Sequence, residues 1–265
     1  MKQNHGDTII EIQELNLEYK TKQNSVNALE NINLKIKQGE FVCLLGPSGC
    51  GKSTLLKTMA GYIAPTSGSV LMEGKPILGP DWNRGVVFQS PTLYPWLNVK
   101  KNVGFGPKMK GLAASEIDEI SHHFLEQVDL LGFSDKRTFE LSGGMKQRVA
   151  LARVLANYPK MILMDEPLGA LDALTRSKMQ SLVRNIWREN KSTVFFITHD
   201  VDEALSLGTR VLVMSKRPGR ILKEFKVDFT EKIFKAHSDR VIYSEEFFNL
   251  KKEILEIINS QIEEE

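Results

Sequence analysis

The chain has 265 residues, of which 42% are apolar and 26% charged, and its formal net charge is +2. That length can bury a substantial core, being long for one domain and short for two, and the balance is ordinary for a soluble globular protein. The charge is too small to imply nucleic acid as the main partner. No apolar run approaches the ~20 residues that cross a bilayer, and the opening MKQNHGDTII lacks the apolar core of a secretion signal.

The N-terminal stretch reads as β-rich. Ile32, Leu34 and Ile36 alternate with polar residues, as in a strand with one wet face. Gln38 and Gly39 make a turn into FVCLL, residues 41–45, a short apolar run of buried-strand type. Directly after it stand Gly46, Pro47, Ser48, Gly49, Cys50, Gly51, Lys52 and Ser53, which fit the phosphate loop pattern of Gly, four residues, Gly, Lys, then Ser or Thr. The glycines let successive backbone N–H groups turn toward one anion. Lys52 can reach the β- and γ-phosphates, and the Ser53 hydroxyl can hold Mg²⁺. A helix over 54–60, starting at Thr54, turns its positive end to the same point. Strand, loop and helix in that order predict a nucleoside triphosphate site.

The cysteines, Cys43 in the strand and Cys50 in the loop, read as reduced thiols of a cytoplasmic protein, since a disulfide between them would distort the loop. Cys50 is either a filler at a variable loop position or a reactive thiol.

Further on, a turn at 65–68 leads to a short strand at 69–72. An amphipathic helix is predicted over 115–131 from Ile117, Ile120, Phe124, Val128 and Leu131, with Ser115 and Asp118 as a capping-box-like start. LSGGMKQR, residues 141–148, opens a second helix running to about 157. Ser142, Gly143 and Gly144 there give either an ordinary N-cap or backbone N–H groups free to meet an anion at a positive helix end. The run 161–164 ends in Asp165 and Glu166. A carboxylate at a strand tip beside a phosphate loop suits Mg²⁺, and Glu166 would orient or deprotonate an attacking water. The run 193–198 ends in His199, whose neutral imidazole can hydrogen-bond a γ-phosphate oxygen or steady Glu166. Another run spans 210–214. Apolar runs alternating with helices predict a parallel sheet with helices on its faces. In the tail, Phe247, Leu250, Ile254, Ile258 and Ile262 share one helical face, before an acidic end at 263–265.

GPSGCGKS, Gln89, LSGGMKQR, MILMDEP, Leu171-Asp172 and His199, taken in order, resemble the ATP-binding subunits of ABC transporters, over nearly the whole chain to about residue 225. The resemblance implies an α/β, P-loop NTPase fold with a mostly parallel core sheet, an N-terminal antiparallel β subdomain and an inserted helical signature subdomain. It implies a single ABC ATPase domain over 1–265, with 1–90 and 158–225 as nucleotide-binding core and β subdomain, 91–157 as helical subdomain and 226–265 as a helical tail. It also implies a head-to-tail pair of copies with ATP and Mg²⁺ sandwiched between them. Each phosphate loop then shares its γ-phosphate with Ser142, Gly143 and Gly144 of the other copy. Glu166 matches the catalytic base, Asp165 the magnesium carboxylate and His199 the switch histidine. Gln89 matches the residue that touches Mg²⁺ or water and reports to the membrane subunits. Asp172 matches the loop that crosses the dimer interface, and Tyr19 the aromatic that stacks on adenine.

Met145 after LSGG, LYPWLNV at 93–99 and RPGR at 217–220 are similar to the nitrate/sulfonate/taurine importer branch. Maltose-type relatives add a regulatory β domain, for which the stretch after Arg220 is too short. That branch implies an energy-coupling ATPase of a bacterial importer for a small anion such as nitrate, an alkanesulfonate or taurine, or for another small organic such as a thiamine-precursor pyrimidine. The implied partners are transmembrane permease subunits and, indirectly, a solute-binding protein, with the chain peripheral on the cytoplasmic membrane face. Tyr94 and Trp96 are docking aromatics or core residues of the helical part. A soluble ABC ATPase acting on ribosomes or DNA fits less well, since the chain has one motif set and no heptads between Gln89 and Leu141. A metabolic kinase would leave the LSGG helix start without a role.

Overall fold

The computed structural model describes residues 8–20, 24–236, 241–242 and 244–263. They divide into two units, one from Met1–Asp81 with Thr193–Glu265 and the other from Trp82–Ser192.

The first unit begins with an antiparallel pair, β1 (Thr8–Lys20) and β2 (Ser25–Lys37). The alternation read in β2 sets its wet and dry faces: Ile32, Leu34 and Ile36 are buried between exposed neighbours. β3 (Phe41–Leu45) is buried at every position, the pattern of a strand covered on both faces. It runs into the phosphate loop and α1 (Lys52–Met59), after which β4 (Ser67–Met72) returns antiparallel to β1 and the short β5 (Lys75–Pro76) closes the edge. The order in this sheet is β2-β1-β4-β5.

The second unit pairs β6 (Arg84–Val87) in parallel with β7 (Met161–Asp165). Between them come α2 (Val99–Val103), α3 (Phe105–Met109), α4 (Ala114–Gln127) and α5 (Gly143–Leu155), and after β7 comes α6 (Ala173–Asn190). The helix expected over 115–131 is α4, but its first turn starts earlier. Glu116, not Asp118, reaches back to the start, accepting from Ala113 N–H at 2.8 Å, while Asp118 pairs with Lys100. At the other end the chain leaves the helix after Gln127, so Leu131 falls in a 3₁₀ turn. Phe124, Leu125 and Val128 form its buried stripe.

The chain then re-enters the first unit as β8 (Thr193–Ile197), α7 (Val201–Leu207), β9 (Arg210–Met214), β10 (Ile221–Lys226), α8 (Phe229–Ala236) and α9 (Glu245–Glu263). β3 lies between β8 and β9, parallel to both, and β10 runs antiparallel along β9. The tail helix packs on α7 and β9, and its Phe247 and Ile254 are buried. The side chains of Ile262 and Glu263 and residues 264 and 265 lie outside the described residues. Among the described residues, no helix is long and apolar enough to cross a membrane.

Candidate functional site

In the first unit, adjacent parallel strands deliver two site elements to one sheet edge, because Leu44 pairs with Ile197. β3 ends at Leu45 and opens into the phosphate loop; β8 ends at Ile197 and leads to His199. This is where open α/β sheets place ligands.

The loop is shaped from beneath. Gly51 has φ +106, and a Cβ there would lie 2.8 Å from Ala28 O, so β2 presses on the loop too closely for a side chain. Gly51 also caps α1 without a side-chain hydrogen bond, so no capping side chain competes at the first turn, which contains Lys52, Ser53 and Thr54. The buried Lys52 ammonium donates to Gly46 O and Pro47 O, each at 2.8 Å. Cys50 Sγ lies 3.9 Å from it. Burial pushes the Cys50 thiol up, outweighing the nearby ammonium, and both cysteines are free thiols. Tyr19, at the end of β1 and 41% exposed, has its hydroxyl 3.3 Å from Thr54 Oγ1, which puts an exposed ring beside the loop helix. His199 is exposed on a tight bend in which Asp200 N–H donates to Thr198 Oγ1 at 3.0 Å, and Asp200 then caps α7 through Glu203 N–H.

In the second unit, β6 and β7 do the equivalent work. Val87 pairs with Met164, so Gln89 and Asp165-Glu166 emerge from neighbouring strand ends. Gln89 Nε2 lies 3.5 Å from Glu166 Oε2. Glu166 has φ +44, a left-handed backbone for a residue with a branchless but full side chain. Such a conformation costs about 1–3 kcal/mol and clusters at active sites. Ser142 is exposed and caps α5, accepting from Met145 N–H at 3.3 Å. Gly143 has open space where a Cβ would be, whereas a Cβ on Gly144 would meet Thr175 Cγ2 at 2.6 Å. Asp172 caps α6, accepting from Thr175 N–H at 3.0 Å. Hydrogen bonds from Thr175 hold its carboxyl below the ordinary value.

Sequence reasoning missed two supports of the Gln89 segment. Gln147 Nε2 donates to Phe88 O at 3.2 Å. Buried Asn102 accepts from Tyr94 N–H at 2.8 Å and donates to Tyr94 O, Leu97 O and Asn98 O. A lone Asn in a short amphipathic helix gives no local sign of that role. The aromatics differ in exposure: the Tyr94 ring centroid lies 4.4 Å from that of Phe105 and 5.5 Å from that of Trp96, which is 67% exposed.

A phosphate loop on a parallel sheet, together with a strained strand-end carboxylate and a glycine-led helix start, defines a P-loop ATPase. The family model described as "ABC transporter" matches residues 29–169. The chain is 52% identical over 240 residues to the taurine import ATP-binding protein of Ruegeria pomeroyi, covering 91% of this chain and 90% of the relative. It is 48% identical over 253 residues to the protein of that name from Pelagibacter ubique, covering 95% and 96%. Among solved structures, the ATP-binding cassette MJ0796, a dimer bound to ADP and Pi, is similar with TM-score 0.74 and 33% identity over 83% of this chain and 99% of that one. The cbiO1 subunit of Clostridium perfringens is similar with TM-score 0.77 and 31% identity over 93% and 99%. The chain belongs to the ABC transporter family, as one of its ATP-hydrolysing cassettes.

Proposed function

We propose that this chain is the energy-coupling ATPase of a bacterial importer for a small anion, taurine or a related sulfonate first among them. The observation that carries the reading is identity of 48–52% along nine-tenths or more of the chain to proteins named for taurine import. Nitrate and a thiamine-precursor pyrimidine remain the competing solutes.

The working unit is a single ABC ATPase domain: nucleotide-binding core and β subdomain at 1–90 and 158–225, helical subdomain at 91–157, helical tail at 226–265. Two copies pair head to tail. Amides from Gly49 to Thr54 cradle the phosphates, Lys52 exchanges its loop carbonyls for phosphate oxygens, and the Tyr19 ring stacks on adenine. Ser142, Gly143 and Gly144 of the other copy complete the γ-phosphate site, and Asp172 lies where the copies meet. Glu166 orients or deprotonates the attacking water, and His199 hydrogen-bonds a γ-phosphate oxygen. The oxygen donors Ser53, Gln89 and Asp165 suit a hard cation; they would hold Mg²⁺, which would neutralise phosphate charge.

Permease docking is supported by a groove of about 650 Å³ in the second unit. Exposed Trp96 and Lys100, Lys101 and Lys108 line it, and so does Ser121, whose buried Oγ has no hydrogen-bond partner. A permease partner there would hold the chain at the cytoplasmic membrane face. The test is reconstitution with the co-purifying permease and solute-binding protein. ATP turnover stimulated by taurine-loaded binding protein, and not by the nitrate- or pyrimidine-loaded forms, supports the reading. Co-purification with ribosomes or nucleic acid and no permease contradicts it.

A further inference from the structure

RPGR marks the loop between β9 and β10, yet nothing in the hydrolysis scheme uses it. In the structure that loop is built against the phosphate loop. Ser215 Oγ accepts from Arg220 N–H at 2.9 Å and lies 2.9 Å from Pro218 O, closing residues 215–220 on themselves. Gly219 N–H donates to Ala28 O, and Gly219 O accepts from Glu30 N–H, each at 3.0 Å, tying the loop to β2. The fit is tight: a Cβ on Gly219 would lie 2.3 Å from Cys50 O. From this scaffold Arg217 reaches over the phosphate loop, and its Nε and Nη2 donate to Gly49 O at 3.2 and 3.1 Å.

The geometry points to Arg217 as a positioning residue for nucleotide binding, acting through the Gly49–Cys50 peptide; this rests on the ATPase reading of the same loop. A trans peptide directs its C=O and N–H to opposite sides. Two guanidinium donors that fix the Gly49 carbonyl therefore also fix the Cys50 N–H on the opposite side of that peptide, and in the proposal this N–H meets a phosphate oxygen. The control is needed at this position. Gly49 has φ +73 and no side chain, so without the clamp its peptide is free to rotate, and binding would have to order it. Arg217 then lowers the ordering cost for any nucleotide whose phosphates enter the loop, diphosphate and triphosphate alike. It is not a γ-phosphate ligand.

The test compares wild type, Arg217→Ala and Arg217→Lys by titration with MgADP and MgATP, by KM and kcat, and by thermal melting without nucleotide. Arg217→Ala is expected to weaken both nucleotides about three- to tenfold, the loss appropriate to one net hydrogen-bonded anchor. KM should rise with it while kcat stays within about twofold, as for loss of uniform binding. Lys, with one point donor in place of a fork, recovers part of the affinity. Unchanged affinity in Arg217→Ala overturns the proposal. So does a lowered melting temperature with unchanged affinity of the folded fraction, or weakening of ATP alone. A wild-type chain that binds neither nucleotide overturns the ATPase reading itself.

Discussion

Gln89 and Glu166 face each other across 3.5 Å at the ends of adjacent parallel strands. The contact joins the base proposed for hydrolysis to the segment proposed to meet the permease. Glu166 holds a left-handed backbone there, a local cost kept where the carboxylate must point one way.

Replacing Glu166 by Gln conserves the shape and removes the base. Turnover should fall by about 10²–10⁴-fold, the usual worth of general base catalysis, while ATP affinity stays close to wild type. Size exclusion with ATP should then show a lasting dimer. A monomeric variant that still hydrolyses ATP at the normal rate would remove Glu166 from this role.

The shared-site arrangement makes a mixing prediction. Ser142→Arg and Lys52→Ala chains should each be inactive alone. In a mixed dimer both lesions fall at one interface and the other interface is intact. Recovery of part of the activity on mixing supports the head-to-tail pairing. No recovery at any ratio means that both sites must fire together or that the pairing is wrong.

Gly144 meets Thr175 where the signature helix crosses α6. Gly144→Ala should destabilise the protein by about 1–3 kcal/mol through overpacking, read as a lower denaturant midpoint. Adding Thr175→Ser removes the methyl group that would clash and should return much of that loss. A Gly144→Ala protein as stable as wild type would show that the helices separate freely.

The tail is a stability element of the first unit. Phe247 is buried and its ring stands 5.0 Å from that of Phe229, edge toward face. Phe247→Ala should cost about 3–5 kcal/mol of unfolding free energy. The surface pair of Lys251 with Asp202, at 2.7 Å, should contribute under about 1 kcal/mol, so that Lys251→Ala barely moves the midpoint. Equal effects from the two substitutions would contradict this division.

What could be read in the sequence was whatever a short window encodes. The apolar runs before Gly46, Asp165 and His199 appear as β3, β7 and β8, because a strand buried on both faces needs a continuous apolar run. The alternation in β2 and the tail stripe were legible for the same reason. The start of α4 was misplaced by a turn fragment, since Glu116 competes with Asp118 for one capping geometry and only the chain path decides. The contacts of Asn102, Gln147 and Arg217 escaped, although Gln147 and Arg217 stand inside motifs that the sequence marks. Arg217 and Gly49 are 168 residues apart, and a contact closed by the sheet leaves no periodicity or spacing to find. The site residues themselves were legible as types at strand ends and helix starts; their pairing across two copies rests on the family resemblance.

The most direct measurement of the central idea, that each copy completes the other's triphosphate site, is a structure of the Glu166→Gln chain with MgATP. The account predicts Ser142 Oγ within hydrogen-bonding reach, about 3 Å, of a γ-phosphate held by the phosphate loop of a second copy. Ser142 far from every γ-phosphate, in its own copy and in any other, would contradict it.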